Sequence, residues 1–570
     1  MGRTRRFAAE TVAEAYLALL KNRGIDRLFV NAGTDFAPIV EAYARRPASG
    51  LDLPEIVVCA HENLAVSMAH GAFLGDGRPQ AVMLHTSVGT ANAVCGVLTA
   101  ARSRVPLLVT AGRTPLFEDG APGARDAGIH WAQEMYDQAG MLREFVKWDY
   151  ELRDGVQIET VVDRALDVAH TQPAGPVYLT LPREVLARPA NGLDARDGPT
   201  TAPAPASPDP TAVDRLADHL AGARHPVIVT ASTGADPCTA PLLDDLCRRF
   251  SIGVLEYKPR YVNVPSGNPL HQGYDLNPAL TEADVLCFLD VDVPWTPVSA
   301  EPRDETVVVQ CGPDPHFTAY PIRGHRSDLS IVTNTRSLLT ALTSALSDRT
   351  TAIDPDRRAR LTETARRNRE SRQLTLDTAT RSRGPIDKTF MNWALAQVRP
   401  SDSVIVNEYW ARPEFLTDLE PGSFFGTPPA GGLGWGLPAA LGVRLARPDR
   451  TVIATVGDGS YMFANPAACH HAMQAHNLPL LTIIATNDRW AAVQNSALTM
   501  YPDGHAAASA DEISTFARLD PVPAFEKYAE ASGGYGEHVT ERADLVPALR
   551  RGLQAVREDG RHALINVHCS

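Results

Sequence analysis

Residues 451–460 read Thr451-Val-Ile-Ala-Thr-Val-Gly457-Asp458-Gly459-Ser460. The apolar, β-branched run over 451–456 predicts a buried strand, which ends abruptly at the glycines. A helical pattern follows over about 465–476, and a second apolar run over 480–486 ends at Asn487. A strand, a helix and a second strand within this length are typical of a right-handed βαβ crossover between parallel strands.

Two polar side chains, Asp458 and Asn487, come directly after these two strands. Because ligands of open α/β sheets bind at the carboxyl ends of the strands, we expect the two side chains to converge there. A carboxylate and an amide oxygen suit a hard cation such as Mg²⁺, and the glycines with the following helix N-terminus suit a phosphate. Gly-Asp-Gly also occurs as a plain turn. A dinucleotide site is disfavoured, since no third glycine follows Gly459 at the required spacing.

The same alternation of apolar runs and helical patterns continues along the chain, which predicts an α/β fold with three consecutive open parallel-sheet domains. A length of 570 residues also exceeds what one hydrophobic core supports. Two stretches without strand or core patterns, one rich in proline and one rich in arginine, predict linkers. The predicted segments are an N-terminal domain (1–188), a linker (189–210), a central domain (211–350), a charged, solvated helical linker (351–384) and a C-terminal domain (385–570). The predicted strands lie at 27–31, 56–60, 81–85, 107–111, 227–231, 285–290, 306–310, 330–333, 403–407, 451–456, 480–486 and 563–568.

Composition narrows the classes of partner. Hydrophobic residues make up 44% and charged residues 21% of the chain, as in globular proteins, and the net charge of −13 argues against nucleic acid or an anionic membrane as a partner. The sequence contains no run of eighteen apolar residues, so no transmembrane helix is predicted. Acidic residues interrupt the N-terminal apolar stretch, whereas a signal peptide needs an unbroken one, so no signal peptide is predicted. The eight scattered cysteines contain no Cys-x-x-Cys pair, which predicts reduced thiols in a cytoplasmic protein.

The spacing around Asp458 resembles the signature of thiamine-diphosphate enzymes. Gly457-Asp458-Gly459 is followed by 26 residues and then by Thr486-Asn487, where the family has two asparagines. The resemblance implies that thiamine diphosphate and Mg²⁺ are the cofactors. It also implies that the N-terminal domain binds the pyrimidine ring of the cofactor and the C-terminal domain binds its diphosphate, with the central domain between them in sequence. It also implies the metal ligands, which are Asp458, Asn487 and the backbone carbonyl of Arg489. The implied diphosphate contacts are Gly457, Asp458, Gly459, Ser460, Asn487 and Trp490.

By the same resemblance, the pyrimidine side of the cofactor contacts other parts of the chain. Glu62, in Cys-Ala-His-Glu-Asn, stands where the family has the glutamate that activates the aminopyrimidine ring. An acidic residue at a helix N-terminus has a purely structural explanation as well. In the glycine-rich run from Gly431, the carbonyl of Gly431 would accept from the amino group and Leu433 would support the bent cofactor. Trp410 and Ala411 stand where family members contact the diphosphate.

Two motifs resemble different members of the family. Met-Leu-His85-Thr-Ser resembles benzoylformate decarboxylase, in which a histidine relays protons, and histidine suits that task near neutral pH. His-Trp-Ala-Gln133-Glu resembles acetolactate synthase, in which a glutamine lies in the active site. Thr34 falls in a loop that faces substrate in the family, so the resemblance implies a contact with substrate. The central domain lacks the flavin contact of acetolactate synthase, so FAD is not expected, and Trp295 falls where a residue lines the pocket of the decarboxylase.

These motifs predict an enzyme that cleaves or forms carbon–carbon bonds at a small 2-oxo acid. An acetolactate-synthase-like carboligase, with an aldehyde or keto acceptor, is slightly favoured because of Gln133. Benzoylformate-type decarboxylation is the alternative, and a non-catalytic cofactor-binding subunit is a remote one. The resemblance further implies a homodimer or homotetramer with the site between chains, since the Glu62 and Asp458 domains of different chains face each other in the family.

Overall fold

The computed structural model describes residues 4–199, 203–509 and 515–570. Within them, no helix is both long and apolar enough to cross a membrane. The chain forms two compact units, one made of Met1–Pro203, Thr427–Val539 and Arg550–His568, the other of Ala204–Gly426, Thr540–Leu549 and Cys569–Ser570. The five predicted segments remain a prediction, and residues 200–202 of the proposed first linker lie outside the described residues.

The first unit begins with a six-stranded parallel sheet. Its central strands are buried and rich in Val, Leu and Ala, as expected for a sheet covered on both faces. The strands, in sheet order, are Glu55–Val58, Arg27–Val30, Gln80–Leu84, Leu107–Arg113, Val177–Pro182 and Asp149–Glu151. The helices are Val12–Asn22, Ala37–Ser49, Glu62–Asp76, Thr86–Arg102, Ile129–Ala132, Ile158–His170 and Arg183–Leu186.

Short polar contacts fix the start of this unit. The helix Val12–Asn22 begins with a capping box, in which the Thr11 hydroxyl accepts from the backbone of Glu14 and the Glu14 carboxylate accepts from the backbone of Thr11. The strand Thr4–Phe7 pairs antiparallel with Leu193–Arg196. The stretch that we predicted to be a linker therefore contains a strand.

A second set of parallel strands belongs to the same unit. Its buried strands have the apolar composition that the sequence indicated. In order they are Thr451–Gly457, Leu481–Thr486, Ala563–His568 and Tyr535–Val539. The helices in this part of the chain are Gly436–Ala446, Asp458–Phe463, Pro466–Ala475, Ala491–Met500, His505–Ala508, Glu526–Ala531 and Arg542–Arg557.

Two helices of the first unit, Glu62–Asp76 and Gly436–Ala446, approach each other at backbone distance. A Cβ at Gly71 would lie 1.9 Å from the carbonyl oxygen of Ala439, so only glycine fits there. Beside this contact the Trp435 indole donates to Nδ1 of His70 at 3.2 Å. Burial lowers the pKa of His70 to about 3, so the ring is neutral and can accept this bond.

The second unit contains the central parallel sheet. Alternate side chains pack on opposite faces: Val227 and Val229 belong to one hydrophobic cluster and Ile228 to the other. The strands, in sheet order, are His271–Gly273, Gly253–Glu256, Pro226–Thr230, Val285–Leu289, Val307–Gly312 and Leu329–Val332. The helices are Pro210–Gly222, Thr239–Phe250, Asn277–Glu282, Thr335–Ser347, Arg357–Arg381 and Lys388–Val398, and Ser403–Glu408 pairs parallel with Phe424–Phe425.

The arginine-rich helix is Arg357–Arg381, close to the range that we predicted, but it is not solvated along its whole length. Arg357 is fully buried, and its guanidinium donates to the carbonyl oxygens of Leu220 and Ala223. Burial lowers its pKa to about 10. The helix start is therefore anchored in the central core through backbone carbonyl oxygens.

Candidate active site

The loop after Thr451–Gly457 turns directly into a helix that begins at Asp458. The Asp458 carboxylate is 4% exposed. Its Oδ1 accepts from the N–H of Gly459 at 2.8 Å, and its Oδ2 accepts from the N–H of Asn487 at 3.0 Å and of Asp488 at 2.9 Å. The structure thus brings together the two strand ends from which the sequence predicted a site.

Trp490 and the glycine-rich loop lie against this helix. A Cβ at Gly459 would come within 2.6 Å of the Trp490 indole nitrogen, so the indole rests on that glycine. Gly434 has φ +84°, and a Cβ there would meet the Phe463 carbonyl at 2.4 Å. Gly431, at the start of the loop, also has a positive φ of 62°. The loop that contains Gly431 and Leu433 therefore packs on the helix that begins with Asp458.

Glu62 is the first residue of its helix and is 9% exposed. Its Oε2 accepts from the Asn92 side chain at 3.1 Å. Asn92 lies on the same face of the helix Thr86–Arg102 as Cys95 and Thr99. Gly432 packs against that face, since a Cβ at Gly432 would clash with the side chains of Cys95 and Thr99. Glu62 and the glycine-rich loop therefore lie against one helix face, about 5–10 Å apart along its axis.

His85 pairs with a residue that the sequence analysis did not select. Its Nδ1 lies 2.5 Å from Oδ1 of Asp35, which is 2% exposed. The pKa of His85 is raised above its ordinary value, first by the hydrogen bond to Asp35 and further by the charge of Glu62, while burial opposes the shift. The strands Arg27–Val30 and Gln80–Leu84 are neighbours, so their following loops meet. The pairing of these two strands is therefore what identifies Asp35 as the partner of His85.

Two glycines make room for this pair. A Cβ at Gly33 would lie 2.1 Å from Nδ1 of His85, and a Cβ at Gly112 would lie 1.7 Å from Oδ2 of Asp35. The residue after His85, Thr86, has φ +38°, a conformation that β-branched residues rarely adopt. Such strain is common at functional sites.

Gln133 and Thr34 lie at the edge of the same region. The Ser87 hydroxyl donates to the backbone oxygen of Gln133 at 2.8 Å, which fixes the turn that carries Gln133 beside the residues after His85. Thr34 is exposed, and its carbonyl accepts from the Arg183 guanidinium at 3.4 Å. The structure therefore brings Glu62, His85, Gln133 and Thr34 into one unit with the glycine-rich loop and Asp458.

Comparison with known proteins decides the family. Residues 10–141 match the N-terminal TPP-binding domain of thiamine pyrophosphate enzymes, and residues 409–567 match their C-terminal TPP-binding domain. The chain belongs to the thiamine-diphosphate-dependent enzymes. It contains both binding domains of this family, so it is an enzyme with a site for that cofactor.

Its relatives carry different activities. The chain is 27% identical to benzoylformate decarboxylase from Pseudomonas aeruginosa, over 96% of this chain and 97% of that one. It is 24% identical to the acetolactate synthase isozyme 3 large subunit from Escherichia coli, over 96% and 93%. The crystal structure of benzoylformate decarboxylase from Polynucleobacter necessarius covers 99% of both chains, with a TM-score of 0.78 and 20% identity, and this likeness shows the fold.

The residues around Asp458 fit the diphosphate and a divalent cation. The pKa of Asp458 is raised above its ordinary value, because burial outweighs the three backbone N–H groups, which lower it. A cation beside this carboxylate would offset the cost of burying its charge. Thr486, which replaces the first asparagine of the signature, is buried, and its hydroxyl donates to Oδ1 of Asn566 at 2.6 Å. Thr486 therefore secures the strand end, and Asn487 is the amide of this pair that would be available to a cation.

Three of the predicted residues belong to the second unit of this thiamine-diphosphate enzyme. Trp410 is 2% exposed, and its carbonyl accepts from Asn392 at 3.2 Å. The N–H of Ala411 donates to the Asn407 side chain at 2.8 Å. Trp295 is 4% exposed and packs against Phe288, so its ring is part of the hydrophobic core.

Proposed function

We propose that this enzyme decarboxylates a small 2-oxo acid with thiamine diphosphate and Mg²⁺ and releases the aldehyde. The observation that carries the proposal is the pair formed by Asp35 and His85, since the Asp35 carboxylate raises the pKa of His85 and so favours the protonated ring that can donate a proton. Release of an aldehyde requires a proton at the carbon from which CO₂ has left. The relationship to benzoylformate decarboxylase supports the same reaction.

The family resemblance supports the following contacts with the cofactor. Asp458, Asn487 and the backbone carbonyl of Arg489 would hold Mg²⁺. Gly457, Gly459, Ser460 and Trp490 would contact the diphosphate, and Gly431 and Leu433 would support the rings. The diphosphate contacts of Trp410 and Ala411 stay a prediction from the family resemblance. Bound there, the cofactor supplies the nucleophilic carbon and the electron sink that C–C cleavage beside a carbonyl needs.

Glu62 would exchange a proton with the aminopyrimidine ring. Its carboxylate is largely removed from water and is oriented by the side-chain amide of Asn92. Because burial and one fixed donor define its position, it can hold or release a proton at one atom of a bound ring. Thr34, exposed at the loop before Asp35, would meet the substrate.

Carboligation is the second candidate, and Gln133 favours it. The bond from Ser87 fixes the backbone at Gln133, so its amide can orient a second carbonyl compound. In that case an acceptor aldehyde or 2-oxo acid replaces the proton. The sequence slightly favoured this outcome, whereas the contact between Asp35 and His85 favours protonation.

We further infer that the enzyme works as a homodimer or homotetramer in the cytoplasm. Exposed aromatic side chains of the first unit, Phe117 and Trp131, are 44% and 48% exposed, which fits a surface covered by a second chain. The eight cysteines are free thiols, in line with a reducing compartment. Size-exclusion chromatography with light scattering should show at least a dimer at micromolar concentration, and a stable monomer would refute this assembly.

Carbon dioxide release tests the proposed reaction. The purified protein should release CO₂ from pyruvate or benzoylformate only when thiamine diphosphate and Mg²⁺ are both present, and EDTA should stop it. Release of CO₂ without the cofactor, or undiminished release after complete removal of divalent metal, would contradict the proposal.

A further inference from the structure

Three buried polar atoms next to the pair of Asp35 and His85 have no hydrogen-bond partner among the described residues. They are the Thr86 hydroxyl oxygen, Nε2 of His130 and Oε1 of Gln133. His130 and Gln133 are three residues apart on one turn, and Ser87 ties this turn to the residues after His85. Buried polar groups are normally paired, so unpaired ones on these two joined segments point to a polar ligand.

The hydrogen bonds of His130 define which of its nitrogens is a donor. The N–H of Asp126 donates to Nδ1 of His130 at 3.3 Å, so Nδ1 is an acceptor. A neutral imidazole then carries its proton on Nε2. Burial is the main cause that lowers the pKa of His130, and the charge of Arg183 lowers it further, while the Asp126 carboxylate, 3.3 Å from Nδ1, opposes the shift. The net shift favours the neutral ring. The unpaired atom is therefore an N–H that can donate to a ligand.

The surroundings favour an anionic ligand. The positive charges of Arg183 and His85 act on His130, and the Arg183 guanidinium also donates to the carbonyl of Thr34. The exposed Asp126 carboxylate faces Nδ1 of His130 at 3.3 Å and lies 3.5 Å from the Arg183 guanidinium. Arg183 is 7% exposed and its other hydrogen bonds go to the backbone of 123–124, so its position is fixed. Gln133 can turn its amide to present either a donor or an acceptor. Donors and positive charge around one buried N–H match a carboxylate.

We propose that His130 donates its Nε2–H to a carboxylate oxygen of the substrate, with Gln133 and Thr86 as the neighbouring polar contacts. His130 would thereby restrict the enzyme to donors that carry an anionic group beside the carbonyl. This inference rests on the proposed function for the identity of the substrate, and on the unpaired atoms for the site.

Two substitutions separate hydrogen bonding from packing. His130→Leu removes the donor, whereas His130→Gln places an amide N–H near the position of Nε2. A hydrogen bond to a charged group corresponds to roughly a 10- to 100-fold effect. We expect His130→Leu to raise KM for the 2-oxo acid by about that factor, with kcat and cofactor affinity nearly unchanged, and His130→Gln to restore KM to within about threefold. His538→Leu, a change at an exposed histidine, is the matched control.

A binding measurement makes the test independent of turnover. Calorimetric affinity of the cofactor-loaded enzyme for lactate and mandelate, which carry the carboxylate but cannot lose CO₂ in this way, should fall in His130→Leu by the same factor. The inference is overturned if His130→Leu changes neither KM nor the affinity for these acids. It is also overturned if His130→Leu and His130→Gln lose affinity equally and both have a lower Tm, since the effect is then one of packing. If the wild type binds these acids but releases no CO₂, the proposed function fails while the binding series still decides the role of His130. If it binds neither acid, the inference is wrong.

Discussion

Asp35→Asn removes the carboxylate that holds a proton on His85 and keeps the shape of the side chain. The two side chains are 2.5 Å apart and only 2% and 15% exposed, so water screens the contact little. A hydrogen bond to a charged partner contributes about 1.5–3 kcal/mol, and 1.4 kcal/mol corresponds to a factor of ten. If His85 must be protonated to deliver the final proton, kcat near neutral pH should fall roughly 10- to 100-fold.

The pH profile of kcat is the assay that identifies the cause. Because Asp35 raises the pKa of His85, its removal lowers that pKa. The alkaline limb of the profile should therefore move to lower pH, and the loss should be smallest at acidic pH, where His85 is protonated in both proteins. Asp52→Asn, at an exposed aspartate, serves as the control and should leave the profile in place. An unshifted alkaline limb in a folded Asp35→Asn protein would refute His85 as the proton donor.

Further predictions concern the cofactor site and the helix pair. Glu62→Gln should keep cofactor affinity nearly intact and lower kcat about 10²- to 10⁴-fold, and full turnover would exclude its role in proton exchange. Asp458→Ala should abolish Mg²⁺-dependent binding of thiamine diphosphate in calorimetry, whereas unchanged affinity would contradict the metal assignment. Gly71→Ala should reduce the free energy of unfolding by about 1–3 kcal/mol or more, because its Cβ would overlap the Ala439 carbonyl. Gly324→Ala, where a Cβ meets open space, should change it little in the same denaturant titration.

The buried strands could be predicted because parallel strands covered on both faces are apolar throughout. The predicted 107–111 and 563–568 correspond to Leu107–Arg113 and Ala563–His568. Two of the edge strands carry no such signal. Asp149–Glu151 is half-buried, and most residues of Tyr535–Val539 are half-buried too. Each strand is held by backbone hydrogen bonds to one neighbouring strand rather than by an apolar composition of its own. The predicted strands also omit Val177–Pro182, although every residue in it is buried.

The spacing around Asp458 located one end of the site because a strand end and a glycine turn are local features. Asp35 could not be located that way, since its partner His85 is 50 residues away and meets it only through the order of the strands. Arg357 is a similar case. A run of arginines predicts a solvated helix, and only the fold shows that one of them bonds to buried carbonyl oxygens.

Product analysis with the purified protein, thiamine diphosphate and Mg²⁺ distinguishes decarboxylation from carboligation. Pyruvate and benzoylformate would be supplied separately, each with and without an acceptor aldehyde, and all products quantified. Decarboxylation with His85 as the proton donor predicts free aldehyde as the main product from at least one donor, even when the acceptor is present. Acetolactate or a hydroxyketone as the main product would contradict it and make the enzyme a carboligase.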